Sequence, residues 1–191
     1  MPDPEGGRIW KPGEERFSAE PLVKRPSLQS SPKWAQEGEK AMPQSLSSIY
    51  LHLIFSTKNR QPFIADKIES ELHAYMCGIF RNKGCPALII GGDVDHIHTL
   101  FLLSRTCTVA ELVEKVKSYS SRWIKDQGKE FKDFKWQSGY GVFSIGQSGV
   151  DDVKRYIANQ KVQHRDKSYQ IEFRSLCWKY NVDFDERYVW D

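Results

Sequence analysis

The sequence predicts an α+β fold: a four-stranded antiparallel sheet with two helices on one face and additional C-terminal helices. Three observations predict it. Short β-branched and aromatic runs have the texture of strands, longer stretches repeat apolar residues every three or four positions, and turn residues separate them. The resulting order is β-α-β-β-α-β, the split βαβ or ferredoxin-like pattern.

The first strand is SIYLHLIFST (48–57), with Ile49, Leu51, Leu53 and Phe55 on one face and Tyr50, His52 and Ile54 on the other, so both faces are covered. Residues 66–83 place Ile68, Leu72, Tyr75, Met76, Ile79 and Phe80 on a helical stripe that Gly84 stops. ALII (87–90), the turn residues Gly91-Gly92-Asp93 and HIHTLFLL (96–103) predict a hairpin. Thr108 and Glu111 form a capping box that opens a second helix, whose stripe of Leu112, Val113, Val116, Tyr119, Trp123 and Ile124 runs on to Gly128. GYGVFSI (139–145) is the fourth strand, its glycines marking a bend or a close backbone approach. Ser148 and Asp151 open a third helix through about Gln163, and Ser168 a fourth through about Tyr180.

This organisation occupies residues 42–191. Residues 1–41 carry six of the nine prolines and show no apolar period, which predicts a disordered N-terminal extension. Met42-Pro43-Gln44-Ser45 has the look of a native start, and the leader that of an added segment or a regulatory arm. Its basic and acidic residues cancel, so the net charge of +3 belongs to the remainder. That excess permits nucleic-acid binding without arguing for it. Cys77, Cys85, Cys107 and Cys177 show no C-x-x-C pairing, which argues against a zinc knuckle or a disulfide framework and fits a reducing cytosol. No stretch approaches the roughly 20 apolar residues of a membrane span. A cytoplasmic protein is expected.

The chemistry concentrates at GGDVDHIHTLFLL (91–103). Residues two apart in a strand point the same way, so His96 and His98 present two imidazoles side by side, as a divalent metal requires. An H-x-H pair is equally compatible with two satisfied polar residues at a strand mouth. Corroboration comes from the third helix, where Val153, Tyr156, Ile157 and Gln160 share a stripe and two of the four are polar. If Val153 and Ile157 anchor that helix on the uncovered sheet face, the Tyr156 hydroxyl and the Gln160 amide turn towards the histidines. Two imidazoles, one amide oxygen and open positions suit Mg2+ or Mn2+. A phenol beside such a metal suggests attack on a phosphodiester, although alone it is also an ordinary amphipathic tyrosine at a helix-sheet seam.

Blocks along the chain resemble the single-tyrosine HUH transposases of small insertion sequences, and most of all the REP-associated tyrosine transposases. They are YLHLIFSTKNRQPF (50–63), GGDVDHIHTLF (91–101), SYSSRWIK (118–125), WQSGYGVFS (136–144), YIANQKVQH (156–164) and FDERYVWD (184–191). The resemblance implies that His96 and His98 are the HUH metal pair, that Tyr156 is the nucleophile and that Gln160 is a further metal ligand. It implies a homodimer that cuts single-stranded DNA beside a hairpin through a 5′-phosphotyrosine, and that is nucleoid-associated when bound to DNA. One departure is Gln163-His164, where the family has paired histidines; it bears on position 163 and not on the core residues. Two rival functions stand beside this one: a single-strand-binding module using an open sheet face, and a metal phosphodiesterase using water.

Lys58 and Arg60 after the first strand, and Lys117 and Arg122 on the second helix, are candidate phosphate contacts, with a solvated face as the alternative. Asn159 and His164 are candidates for DNA contact or for orienting the site. His52 is a neighbour of the metal or an interior hydrogen-bonding residue. The aromatics of the NVDFDERYVWD tail predict that it docks on the body or on a second subunit.

Overall fold

The computed structural model describes residues 45–163, 168–187, 189 and 190, without the side chains of 162 and 163. The leader and His164 lie outside the described residues. In chain order come β1 (Tyr50–Ser56), α1 (Asp66–Asn82), β2 (Ala87–Asp93), β3 (His96–Leu102), α2 (Val109–Asp126), β4 (Gly141–Ile145), α3 (Val150–Ala158), α4 (Gln160–Gln163) and α5 (Tyr169–Lys179). The sheet order is β2-β3-β1-β4 with every pair antiparallel. This is the predicted β-α-β-β-α-β arrangement with additional C-terminal helices.

Strand alternation divides the interior. Leu51, Leu53, Phe55, Ile97 and Phe101 face α1 and α2 and pack with Leu72, Met76, Phe80, Leu112 and Val116. The opposite face carries His52, Ile54, His98 and Leu100, and α3 and α5 cover it. Ile54 and Phe143 meet Tyr169, Phe173 and Cys177 there. Each such buried side chain contributes about 1.5–3 kcal/mol. That holds in place an 11-residue helix, α5, which would be marginal alone in water.

Two glycines let those covering helices approach. A Cβ on Gly91 would lie 2.8 Å from the Ile157 carbonyl oxygen and 2.9 Å from its Cγ2, and a Cβ on Gly141 would lie 2.9 Å from Phe173 Cε2. Gly91 and Gly92 therefore do not form the expected turn. β2 continues through Asp93, pairing Gly91 with His98 and Asp93 with His96, and the turn falls at Val94-Asp95. Gly91 serves a close helix-strand approach, and Gly92 a close approach to the His96 backbone of β3, neither of which turn chemistry in a sequence distinguishes from a bend. Gly91→Ala is expected to cost about 1–3 kcal/mol, as overpacking does, and to push α3 off the sheet. Gly146→Ala, where an added Cβ meets nothing within 4 Å, should leave the melting temperature unchanged in the same thermal denaturation series.

Other departures are local. The third helix is not continuous to Gln163: Asn159, at φ −100° and ψ 15°, separates α3 from α4. Thr108 Oγ1 accepts from Glu111 N at 3.2 Å, but the Glu111 carboxylate pairs with Lys83 at 2.8 Å. Tyr75 and Tyr119, expected in buried stripes, sit at the outer seam, with Tyr75 stacked on Trp123. The tail docks on its own chain: Phe184, Val189 and Trp190 pack on the α5 cluster, and Arg174 pairs with Glu186 at 2.6 and 2.9 Å. Among the described residues no helix is long and apolar enough to cross a membrane.

Candidate active site

β3 delivers His96 and His98 to the face beneath α3 and α5, and both are completely buried. Their ring centroids are 5.1 Å apart. Each is held from behind at Nδ1: His96 lies 2.6 Å from Asp95 Oδ1, and His98 lies 2.9 Å from His52 Nε2. His52, on β1, is kept neutral; burial and then the neighbouring His98 push it down to about 3.

Three helical segments close the site from above. Ile157, 1% exposed, seats α3, and Tyr156 precedes it with its ring edge-on to His52 and His98. Gln160 opens α4 and is buried. From α5 comes Glu172, also buried, whose carboxylate sits among them. The Tyr156 hydroxyl and Gln160 Nε2 both donate to Glu172 Oε1, the latter at 2.9 Å. His98 Nε2 lies 3.3 Å from the same oxygen, and His96 Nε2 lies 3.9 Å from Oε2. Burial pushes the Glu172 carboxyl up to about 7, against the pull of His96 and His52.

These groups fit a hard divalent cation. Ligand atoms of His96, His98 and Glu172 lie within 4.8 Å of one another. Gln160 Oε1 is buried and accepts no hydrogen bond among the described residues, an arrangement that is costly unless something positive meets it. Two imidazole nitrogens with a carboxylate and an amide oxygen make a mixed nitrogen and oxygen donor set for a divalent cation, without the thiolates of a Cys-rich structural zinc site.

A second tyrosine lies close by. Tyr169 is 3% exposed, its ring 5.1 Å from His96, and its hydroxyl donates to Gln137 Oε1, which also takes the Ser56 backbone N–H at 2.9 Å. Burial raises its pKa, so its phenol is committed and hard to ionise. Tyr156 is half-buried and retains access to solvent.

Of the residues singled out in the sequence, the fold brings His96, His98, Tyr156 and Gln160 together. It does not bring Lys58, Arg60, Lys117, Arg122 or Asn159 there. Lys117 turns inward and donates to the carbonyls of Gln137, Ser138 and Gly139, its ammonium 5.0 Å from the Phe55 ring centre, and burial pushes it down to about 8. Lys58 lines, with Lys117, Lys135 and Tyr140, a separate hollow of about 580 Å³ beside α2. Arg60 and Asn159 are exposed, and Arg122 lies over the Tyr119 ring. Sequence reasoning passed over Glu172, Asp95 and the link from His52 to His98. A signal for Glu172 existed: it shares the apolar stripe of its helix with Tyr169, Phe173 and Leu176, where a carboxylate has no reason to be unless something holds it.

Comparison with known proteins adds an independent line. The family model described as Transposase IS200 like matches residues 45–160, a span that contains His96, His98, Tyr156 and Gln160 and stops short of Glu172. Among solved structures, a provisionally assigned transposase of Deinococcus radiodurans R1 is 20% identical with a TM-score of 0.50, covering 64% of this chain and 98% of that one. A REP-associated tyrosine transposase bound to a REP hairpin is 12% identical, also with a TM-score of 0.50, covering 66% of this chain and 74% of that one. At these identities the likeness shows the fold. No curated protein matches the chain.

Proposed function

Because the chain belongs to the family of IS200-like transposases, we propose that it is a metal-dependent DNA strand transferase that cuts and rejoins single-stranded DNA through Tyr156. The observation that carries this reading is the Tyr156 hydroxyl donating to Glu172, a carboxylate 3.3 Å from His98 Nε2. That proximity supports reading Tyr156 as the nucleophile, Glu172 as its proton acceptor and the histidines as metal ligands. All of them come from one chain. A homodimer, which the sequence resemblance implies, would carry two such sites, each complete in itself. The single strand beside a hairpin is proposed from the same resemblance, and a protein of like fold has been solved with a REP hairpin bound. Such a protein would act in the cytoplasm, on nucleoid DNA.

His96, His98, Glu172 and Gln160 would hold a magnesium or manganese ion, which when bound supplies the positive charge that polarises the scissile phosphate. Tyr156 Oη attacks phosphorus. As the new O–P bond forms, the bond from phosphorus to the 3′ oxygen breaks, and the phenolic proton passes to Glu172 Oε1. The products are a 5′-phosphotyrosine and a strand ending in oxygen at 3′, which takes its proton from solvent. Attack on that phosphotyrosine by another 3′-hydroxyl reverses the step, so rejoining needs no nucleotide cofactor.

The rival readings make different demands. An open-faced single-strand-binding module needs an uncovered sheet face for stacking bases, and α3 and α5 bury Ile54, Leu100 and Phe143 on that face. A phosphodiesterase using water would cut without attaching itself to the DNA. The test is a denaturing gel of the full chain with an end-labelled single strand carrying a hairpin, with Mn2+ or with chelator. A slow-migrating protein-DNA band that requires the cation is expected; cut strands with no such band would favour water as the nucleophile.

A further inference from the structure

The helices that close the site, α3, α4 and α5, carry five basic residues, and four of them are neutralised. Lys154 pairs with Asp151 at 3.4 Å, Arg155 with Asp152, Lys161 with Asp66 and Glu69 at 2.8 and 2.5 Å, and Arg174 with Glu186 at 2.6 Å. Lys179, exposed in the last turn of α5, has no carboxylate partner among the described residues. We propose that Lys179 is a substrate-binding residue, its ammonium holding a backbone phosphate that flanks the one Tyr156 attacks. This rests on the reading in which a single strand is bound at His96, His98 and Tyr156.

Its place in the fold points to the strand. Lys179 follows Glu172 by seven residues, two turns on along the same face of α5, which sets the two Cα atoms about 10 Å apart along the helix. Its Nζ lies 5.5 Å from the centre of the Tyr180 ring. Tyr180 in turn stacks on Phe143 at 4.8 Å and packs, as Tyr156 does, against Leu100, Ile145, Val150 and Ile157. From there the charge reaches the floor of the site: His52, held down chiefly by burial and by His98, is lowered further by Lys179. An unpaired cation thus stands near the tyrosine and the histidines without bonding to any of them.

Tyr156 acts on one phosphate, and each neighbouring phosphate of the strand carries a further negative charge. A lysine on its flexible stem meets such a charge as a compact cation with three donors. Contacts of this kind fix the register of a strand without reading its sequence. A cation in the last turn also suits the negative end of any helix. That role would change the melting temperature and leave the response of DNA binding to salt untouched.

The test is the salt dependence of strand binding, read by fluorescence anisotropy with Mg2+ and a hairpin-bearing single strand, in the full chain carrying Tyr156→Phe so that the strand stays intact. Adding Lys179→Gln is expected to lower the slope of log affinity against log salt by about 0.7, the share of one phosphate on a single strand, and to weaken binding about fivefold at about 0.1 M salt. Lys179→Arg, which keeps the charge, should keep the slope. Lys67→Gln, on α1 and paired with Glu130, should keep it too. A slope unchanged by Lys179→Gln, or lowered equally by Lys67→Gln, would overturn the proposal. Calorimetric titration should give the same Mn2+ affinity with and without Lys179→Gln; a loss there would assign Lys179 to the cation site and overturn it as well. A Tyr156→Phe chain that binds no strand at all would instead refute the reading beneath it.

Discussion

Tyr156→Phe is expected to form no covalent DNA adduct at all and to lower strand cleavage by about 10³-fold or more, the scale seen when a nucleophile is removed. The variant keeps the ring that packs edge-on to His52 and His98, so the fold should survive. It loses one hydrogen bond to Glu172, but Gln160 Nε2 still donates to the same oxygen, which limits the loss of stability to about 1 kcal/mol. Binding of a hairpin-bearing strand, measured by fluorescence anisotropy, should stay near the wild-type value. That pattern, with binding retained and chemistry lost, separates an attacking phenol from one that only packs. An adduct in the phenylalanine variant would assign the nucleophile elsewhere.

Glu172→Gln is expected to have the second-largest effect. It removes the anionic member of the donor set, and Mn2+ affinity should fall by about tenfold or more. It should also flatten a pH dependence of stability. The carboxyl is raised from 4.5 to about 7 in the folded chain, chiefly by burial. The folded state therefore binds that proton more tightly than the unfolded state does. Stability is greatest below the unfolded value and declines as pH rises through about 7, by a sum on the order of 3 kcal/mol without cation. His52 acts in the opposite direction: it is lowered from 6.5 to about 3, so its contribution is present above 6.5 and is lost as pH falls towards 3. The two oppose each other between about 4.5 and 6.5, which makes the difference between Glu172→Gln and wild type the informative quantity. Thermal melts in chelator from pH 4.5 to 8 should show the glutamine variant gaining on wild type as pH rises. Added Mn2+ should restore wild type at pH 8 and do little for the variant. Equal slopes for both proteins would show that Glu172 is not the buried acid described here.

The sheet and the helices α1, α2, α3 and α5 were legible because periods of two and of three to four residues are properties of single segments. The same local logic placed His96 beside His98, and Tyr156 one helical turn from Gln160. Glu172 was not legible in this way. Its role depends on α5 descending onto the sheet through the space left by Gly141, a meeting of residues about thirty apart that no local pattern records. Gly91-Gly92-Asp93 misled for a related reason, since a glycine that admits a helix backbone and one that makes a turn look alike until the partner is known. Lys117 has the spacing of a solvated helix face, yet the loop before β4 crosses it and offers three carbonyls. His52 was visible as a histidine on the site's face, but its link to His98 required the register of β1 against β3.

The most direct test of the account is to digest the covalent product formed with a hairpin-bearing single strand and Mn2+, and to map the attached nucleotide by mass spectrometry. One modified peptide is expected, with a 5′-phosphate ester on the oxygen of Tyr156. Modification of Tyr169 or any other residue, or cut strands with no attached peptide, would contradict it.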